Sequence, residues 1–377
     1  MPGNESGPVA PTLAEVLDIA PWRRLEEHLT DLRERVDDSI AGSQDLRRRY
    51  REELLAEQPD LPQHIRRPSE DALAKARELI RHGSVAAADG TVSQVPLAGG
   101  AKLQVGVVIA FNSGKVVDLV TRVFEHELTA NVGAAMEYFA QLRGKRRISS
   151  LVSHAIMLFG ERSLLIDQPA DWRLLHGELI PHELRTGAGR PSDNLPRTFD
   201  LIDRYIASEQ FIACSESTGD LDVLNAAELL EPGEYIVIRN MDAKLNLFLD
   251  GDPTTGQQRA GFNNTDRDRF RTWIAQAGPK VAEVMVKAGH RPFLLECHVD
   301  HVEDAVALFF ADALWVRGYD PGGPGSPIRG FPFHIDLADQ VARTLFKSSD
   351  FRGFVEYRLM EISVEEGIFD LDPRRTR

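Results

Sequence analysis

The segment SVAAADGTV, residues 84–92, begins the part of the chain that decides the fold. Two further runs rich in Val and Ile follow it: KLQVGVVIAF at 102–111 and KVVDLVTRVF at 115–124. Short runs of this composition, bounded by Gly and Asn, predict β-strands. The separation between the last two is short enough for a hairpin, so we expect these strands to pair antiparallel.

A helix and a fourth strand are predicted after these three. Helical periodicity extends from about residue 125 to residue 159, and Gly160 is predicted to end it. The next run, SLLID at 163–167, is apolar and closes on an acid, which favours a buried central strand. The order strand, strand, strand, helix, strand predicts an α/β fold with a mixed sheet flanked by helices.

The pattern along the whole chain predicts three domains. Residues 1–83 are predicted to form a helical arm, interrupted at Pro59, Pro62 and Pro68. Residues 84–345 form the sheet domain with insertions, and residues 346–377 form a helical C-terminal extension. Within the sheet domain, EYIVIR at 234–239 and LNLFL at 245–249 predict a second hairpin, PFLLECHV at 292–299 predicts a strand, and a late helix begins near His334.

The net charge, the cysteine content and the lack of certain motifs argue against several classes of protein. A formal net charge of −14 argues against a protein that binds nucleic acid with its whole surface, although a local basic path could still bind DNA. Cys214 and Cys297 are too few for a disulfide framework and are predicted to be buried. The chain contains no phosphate-binding loop motif for ATP. It also shows neither an apolar run of membrane-spanning length nor a signal peptide, so we expect a cytoplasmic protein.

Two acids are the first candidates for chemistry. Asp89 lies inside the first predicted strand, and Asp167 ends the fourth. Taken alone, each is more often a turn or cap residue. On neighbouring central strands, however, the two carboxylates would repel each other, and a divalent cation between them would relieve that repulsion.

The predicted topology resembles the RNase H arrangement, and four segments in order resemble motifs of the NurA nuclease family. These segments are AADGTVSQVPL at 87–97, SLLIDQP at 163–169, FLLECHV at 293–299 and GFPFHIDLADQVAR at 330–343. The resemblance implies a metal-dependent phosphodiesterase, an exonuclease or endonuclease on DNA, with a site for two Mn²⁺ or Mg²⁺ ions. It also implies processing of DNA ends in double-strand break repair, a hexameric HerA-type ATPase as partner, and a homodimer.

The resemblance also assigns site residues. It makes Asp89 and Asp167 the strand ligands, and Asp339 takes the place of the C-terminal His or Asp ligand. The family carries a glutamate on the helix before its second acidic strand, but residues 147–159 contain no acid here. Glu137 is therefore the predicted catalytic and metal-binding helix residue, with Glu127 and His154 as alternatives.

Two departures from the family pattern leave other functions open. Phe331 stands where the family usually has Tyr, which predicts a packing role for this ring, and the helix acid is displaced. A weak or inactive RNase H-like scaffold that binds DNA or a HerA-like partner is therefore the main alternative. A related nuclease that acts on RNA or hybrids is another.

Overall fold

The computed structural model describes residues 12–15, 24–97, 100–113, 116–129, 150–216, 227–251, 262–289, 291–314 and 330–365. The chain divides into two compact units, Met1–Pro59 and Asp60–Arg377. In the first unit, helix α1 (Leu25–Glu57) ends just before Pro59, as the predicted break requires. None of the helices in these ranges is long and apolar enough to cross a membrane.

The second unit begins with a two-residue strand, β1 (Ile65–Arg66), and helix α2 (Glu70–Arg81). Ser69 caps α2 by accepting a hydrogen bond from a backbone N–H of its first turn. Ala76 and Ile80 on this helix are buried in the core that also contains residues of the central sheet. The domain boundary after residue 83 stays a prediction, although α2 packs with the sheet that follows it.

The three predicted strands are present and longer than expected. They are β2 (Val85–Leu97), β3 (Gly100–Asn112) and β4 (Val117–Thr129). β3 pairs antiparallel with both β2 and β4, so the predicted hairpin is confirmed.

The predicted fourth strand at 163–167 is wrong. Helix α3 (Ser150–Ile166) continues through Gly160 and the SLLI run, so Asp167 follows the end of a helix. The strand that pairs parallel with β2 comes later, as β5 (Trp172–His176). A short apolar run does not distinguish a buried strand from a buried helix, and α3 is apolar on several sides because it packs between the sheet and other helices.

The predicted hairpin at 234–249 is also wrong in its second half, because LNLFL lies in a helix. The strand at 234–239 is present, but it pairs with a later strand, Val281–Lys287, instead of with LNLFL. The predicted strand near 292 and the late helix near His334 are confirmed. The remaining elements are α4 (His182–Arg185), α5 (Pro191–Ser208), β6 (Phe211–Ser215), β7 (Glu234–Asn240), α6 (Met241–Asp250), α7 (Asn264–Ala277), β8 (Val281–Lys287), β9 (Pro292–His298), α8 (Val302–Ala313), α9 (Phe333–Leu345) and α10 (Ser348–Glu365).

Among the described residues, nine strands form one sheet in the order β1-β7-β8-β9-β6-β5-β2-β3-β4. β2, β5 and β6 are mutually parallel neighbours, and the other pairs are antiparallel. The order β4-β3-β2-β5-β6 with these directions is the RNase H arrangement. The predicted fold class, a mixed α/β sheet flanked by helices, is therefore confirmed.

Two cores cover the two faces of the sheet, and β2 contributes to both. Ala86 and Ala88 pack in the core that contains α3 and α5, while Val85 and Ala87 pack in the core that contains α8 and part of α9. Because side chains alternate along a strand, Asp89 is the next residue on the α8 and α9 face.

Candidate metal-binding active site

Asp89 and His176 meet where a parallel strand pair ends. β2 and β5 pair only as far as Ala88 and Leu175, so Asp89 and His176 are the next residues of the two strands. His176 Nδ1 lies 3.3 Å from Asp89 Oδ1, and the Asp89 side chain is only 8% exposed. A carboxylate held this deep in a sheet needs a partner or a cation to offset its lost hydration.

Glu161 reaches the same place from the opposite face of the sheet. It lies on α3, is 1% exposed, and packs against Gly90, where an added Cβ would lie 2.8 Å from Glu161 Oε1. Glu161 Oε2 lies 3.3 Å from Arg162 Nη1. Glu161 Oε1 accepts no hydrogen bond from the described residues, although it is buried. The glycine therefore admits a carboxylate with one free oxygen beside Asp89.

Asp339 completes the group from the C-terminal side. It lies on α9, close enough to Asp89 for the two carboxyl groups to interact, and pairs with Arg343 at 2.6 Å. The start of α9 is fixed by a fully buried pair, because His334 donates its backbone N–H to Asp312 Oδ2 and places Nδ1 2.6 Å from Asp312 Oδ1.

Phe331, just before α9, is buried and packs edge-on against the His176 ring with centroids 5.6 Å apart. The predicted packing role of this ring is confirmed.

Burial and the nearby charge of Asp89 raise the pKa values of two acids in this group. Burial raises the pKa of Glu161 to about 8, and the charge of Asp89 adds to this, although Arg162 and His176 oppose it. Burial, then the hydrogen bond and charge of Asp89, raise the pKa of Asp339 to about 6. Burial opposes protonation of His176, but its hydrogen bond to Asp89 and the nearby carboxylates outweigh burial and raise the pKa of this imidazole. A bound cation would relieve the same repulsion.

Of the residues predicted from the sequence, the structure brings together Asp89 and Asp339. Asp167 does not join them: its side chain is 62% exposed after the end of α3 and pairs with Arg204 of α5. Its assignment as a strand ligand rested on a strand that is a helix. Glu137 lies outside the described residues, so its role stays a prediction.

The two alternatives for the helix acid lie elsewhere. His154 on α3 is half exposed, 3.9 Å from Glu183, and Glu127 lies on β4 opposite Lys102.

The sequence does not predict Glu161 or His176 as site residues, for different reasons. Glu161 lies two residues beyond 147–159, because Gly160 predicts the end of that helix. His176 ends the apolar run WRLLH, for which the sequence predicts no strand. Because β5 pairs with β2, His176 at the end of β5 lies beside Asp89.

The side chains present fit a divalent cation, although they are not preset around one. In the described ranges, no three His, Cys, Asp or Glu side chains are already arranged to hold a metal ion. The contacts are pairwise instead: His176 with Asp89, and Asp89 with Asp339. The free Oε1 of buried Glu161 and the raised carboxyl pKa values favour a cation, which small side-chain rotations would admit. Carboxylate oxygens, which make up three of the four candidate donor groups, suit Mn²⁺ or Mg²⁺.

No protein-family model matches the chain, and no curated protein sequence matches it. The chain is similar to NurA nucleases of known structure. The NurA nuclease from Sulfolobus solfataricus aligns at 12% identity with a TM-score of 0.44, over 77% of this chain and 92% of that one. A NurA bound to dAMP and manganese aligns at 9% identity with a TM-score of 0.42, over 84% and 93%.

Endonuclease V from Bacillus subtilis also aligns, at 10% identity with a TM-score of 0.31, over 77% of this chain and 94% of that one. NurA is the family whose motifs the sequence resembles. At these identities the alignments do not identify site residues, so the assignment of the site rests on the geometry above.

Proposed function

We propose that this protein is a metal-dependent nuclease that hydrolyses phosphodiester bonds of DNA. The observation that carries the proposal is the convergence of Asp89, Glu161, His176 and Asp339 from β2, α3, β5 and α9 at the end of one parallel strand pair. The raised carboxyl pKa values of Glu161 and Asp339 and the free Glu161 Oε1 support a cation site at this group in the RNase H sheet. Such sites use divalent ions to activate water and to stabilise the leaving oxygen of a phosphodiester.

The four residues would have distinct roles. Asp89 contacts or adjoins each of the others and would be the shared ligand. Glu161 would bind through Oε1, because Arg162 holds Oε2. Asp339 would bind from α9, on the C-terminal side of the group. His176 would supply a neutral nitrogen where an acid was predicted, and its contact with Phe331 fixes the plane of the ring.

The sequence resemblance to NurA supports DNA as the substrate, and it also supports a cellular role and partners. On that basis we propose that the protein processes DNA ends in double-strand break repair, forms a homodimer, and works with a hexameric HerA-type ATPase. The same resemblance supports a site that holds two Mn²⁺ or Mg²⁺ ions during phosphodiester hydrolysis.

The inactive-scaffold alternative loses its main support. It was motivated by the lack of an acid on the helix, and Glu161 supplies a buried acid on α3 beside Asp89. We therefore favour an active enzyme.

A matched pair of variants tests the proposal. Asp89→Asn removes a buried carboxylate of the group, and Asp167→Asn removes an exposed one outside it. With end-labelled DNA and Mn²⁺ or Mg²⁺, we expect Asp89→Asn to lower the cleavage rate by at least about 100-fold, because loss of a ligand removes the ion that activates water. Asp167→Asn should cleave at a rate within about twofold of wild type, since substitutions at the surface change stability little. EDTA should abolish cleavage by wild type and by Asp167→Asn.

Two results would contradict the proposal. One is equal cleavage by wild type and Asp89→Asn with the same metal. The other is no cleavage by wild type with either metal, even with the ATPase partner supplied, which would favour the scaffold.

A further inference from the structure

Arg162 is a buried cation directly behind the candidate site. It follows Glu161 on α3, and its side chain is 0% exposed. An arginine without any contact with solvent is unusual, because its charge must be offset by hydrogen bonds and by nearby acids. Its bonding partners therefore indicate what the residue does.

One side of the guanidinium holds the helix that carries Glu161. Arg162 Nη1 donates to the backbone oxygen of Leu158 at 3.0 Å and lies 3.3 Å from Glu161 Oε2. This contact occupies one carboxylate oxygen of Glu161 and leaves Oε1 next to Gly90.

The other side holds the loop that follows His176. Arg162 Nε donates to the backbone oxygen of Leu179 at 3.0 Å, and Nη2 donates to the backbone oxygen of Glu178. The loop leaves β5 through Gly177, whose φ of +82° is in the region that favours glycine. The same guanidinium thus binds the backbone two and three residues after His176 and the side chain of Glu161.

The loop is also anchored on its far side. The backbone N–H of Leu179 donates to Glu296 Oε2 at 2.5 Å, and Glu296 pairs with Lys244 at 2.8 Å. Leu179 is therefore bound through its oxygen by Arg162 and through its nitrogen by Glu296. Because both the backbone oxygen and the backbone N–H of Leu179 are hydrogen-bonded, the loop keeps the end of β5 in place.

We propose that Arg162 is a positioning residue that sets the spacing between Glu161 and His176 and keeps Glu161 Oε1 free for a cation. The inference rests on the proposed function of the same site. Arginine suits this role because its planar fork carries five N–H donors in fixed directions. Lysine at this position has three donors on one atom and would not reach the Leu158, Glu178 and Leu179 oxygens and Glu161 at once.

The experiment compares Arg162→Lys with Tyr205→Phe. The Tyr205 hydroxyl donates to the backbone oxygen of Arg162 at 2.7 Å, so Tyr205→Phe disturbs the same buried region but leaves the guanidinium in place. Mn²⁺ affinity is measured by calorimetry without DNA, amide hydrogen exchange is followed at residues 177–180, and kcat and KM are measured on DNA. The thermal midpoint of each variant is also measured, so that Mn²⁺ affinity and kcat can be compared at equal loss of thermal stability.

We expect Arg162→Lys to weaken Mn²⁺ binding at least tenfold, to speed amide exchange at Leu179, and to lower kcat with KM for DNA nearly unchanged. Tyr205→Phe should keep wild-type Mn²⁺ affinity and kcat even at equal loss of thermal stability. Arg162→Gln, which retains two donors, is the second variant if Arg162→Lys does not fold, and the same losses are expected for it.

The outcomes separate this inference from the proposed function. Wild-type protein that binds Mn²⁺ and cleaves DNA, while Arg162→Lys matches it within twofold, would overturn the positioning role alone. Equal losses of Mn²⁺ affinity in Arg162→Lys and Tyr205→Phe would also overturn it, since packing alone would then explain them. Wild-type protein that neither binds Mn²⁺ nor cleaves DNA would overturn both the proposed function and the positioning role.

Discussion

Gly90 is a residue whose missing side chain the candidate site requires. A Cβ at this position would lie 2.7 Å from Met157 Cγ and 2.8 Å from Glu161 Oε1. Gly90→Ala should therefore displace α3 locally, at a cost of about 1–3 kcal/mol of stability. Because displacements near 1 Å can slow a reaction strongly, we expect cleavage of labelled DNA to fall by about 10- to 100-fold.

Gly42→Ala is the control for this substitution. Gly42 lies within α1, and an added Cβ would meet nothing within 4 Å. Alanine should stabilise that helix by up to about 1 kcal/mol and leave cleavage unchanged. A wild-type cleavage rate in Gly90→Ala would show that the close approach of Glu161 to the sheet does not matter for activity.

At the residue scale, the sequence predicted half of the group. Asp89 is predicted because an acid inside an apolar strand needs an explanation, and Asp339 because the resemblance to the NurA family implies a ligand at that position. Glu161 and His176 were not found, because their roles depend on which strand pairs with β2. That pairing is a tertiary contact, and local periodicity does not contain it.

At the element scale, isolated strands were predicted better than the segments between them. β2, β3, β4 and β9 are bounded by Gly, Asn or Pro and have the expected β-branched composition. The runs SLLID and LNLFL were wrong because each is a buried helical segment with the composition of a strand. β1 has two residues, too few for any pattern to show, and it exists because it pairs with β7.

A charged cluster joins β8, β9, α6 and the loop after β5, and its stability should depend on pH. Lys244 is nearly buried and lies 3.0, 2.9 and 2.8 Å from carboxylate oxygens of Glu178, Glu283 and Glu296. Burial works to raise the pKa of Glu296, but Lys244 and the backbone N–H of Leu179 outweigh burial and lower it. A lowered folded pKa means that ionised Glu296 stabilises the fold above its unfolded pKa of about 4.3.

Glu296→Gln should therefore lower the free energy of unfolding at pH 7, by about 1–3 kcal/mol. The difference from wild type should shrink as pH falls below about 4.3, because the unfolded wild-type chain then binds a proton at Glu296 that the folded protein does not bind until the pH reaches its lowered folded pKa. Urea unfolding in EDTA at several pH values measures this. Asp200→Asn, at an exposed position on α5, is the control and should change stability by less than about 0.5 kcal/mol. A pH-independent difference for Glu296→Gln would contradict the lowered pKa.

At the scale of the whole molecule, charge opposes the proposed substrate. The chain has 58 acidic and 44 basic residues, a formal net charge of −14, and DNA is a dense polyanion. An acidic protein can still bind a phosphodiester if positive charge is supplied at one place. In the proposed site, that charge would come from divalent cations held by Asp89, Glu161 and Asp339.

DNA binding by the wild-type protein should therefore depend on divalent cations. In about 0.15 M salt with EDTA, we expect weak binding of a labelled DNA end, because unscreened acidic groups near the site repel phosphates. Adding Ca²⁺, a hard cation with oxygen ligands, should strengthen binding by at least about tenfold, as measured by fluorescence anisotropy. The gain should vanish in Asp89→Asn and persist in Asp167→Asn, because only the first changes the site. Binding that is equally strong in EDTA and Ca²⁺ would mean that basic surface residues attract the DNA, and the link between the acidic group and the substrate would then fail.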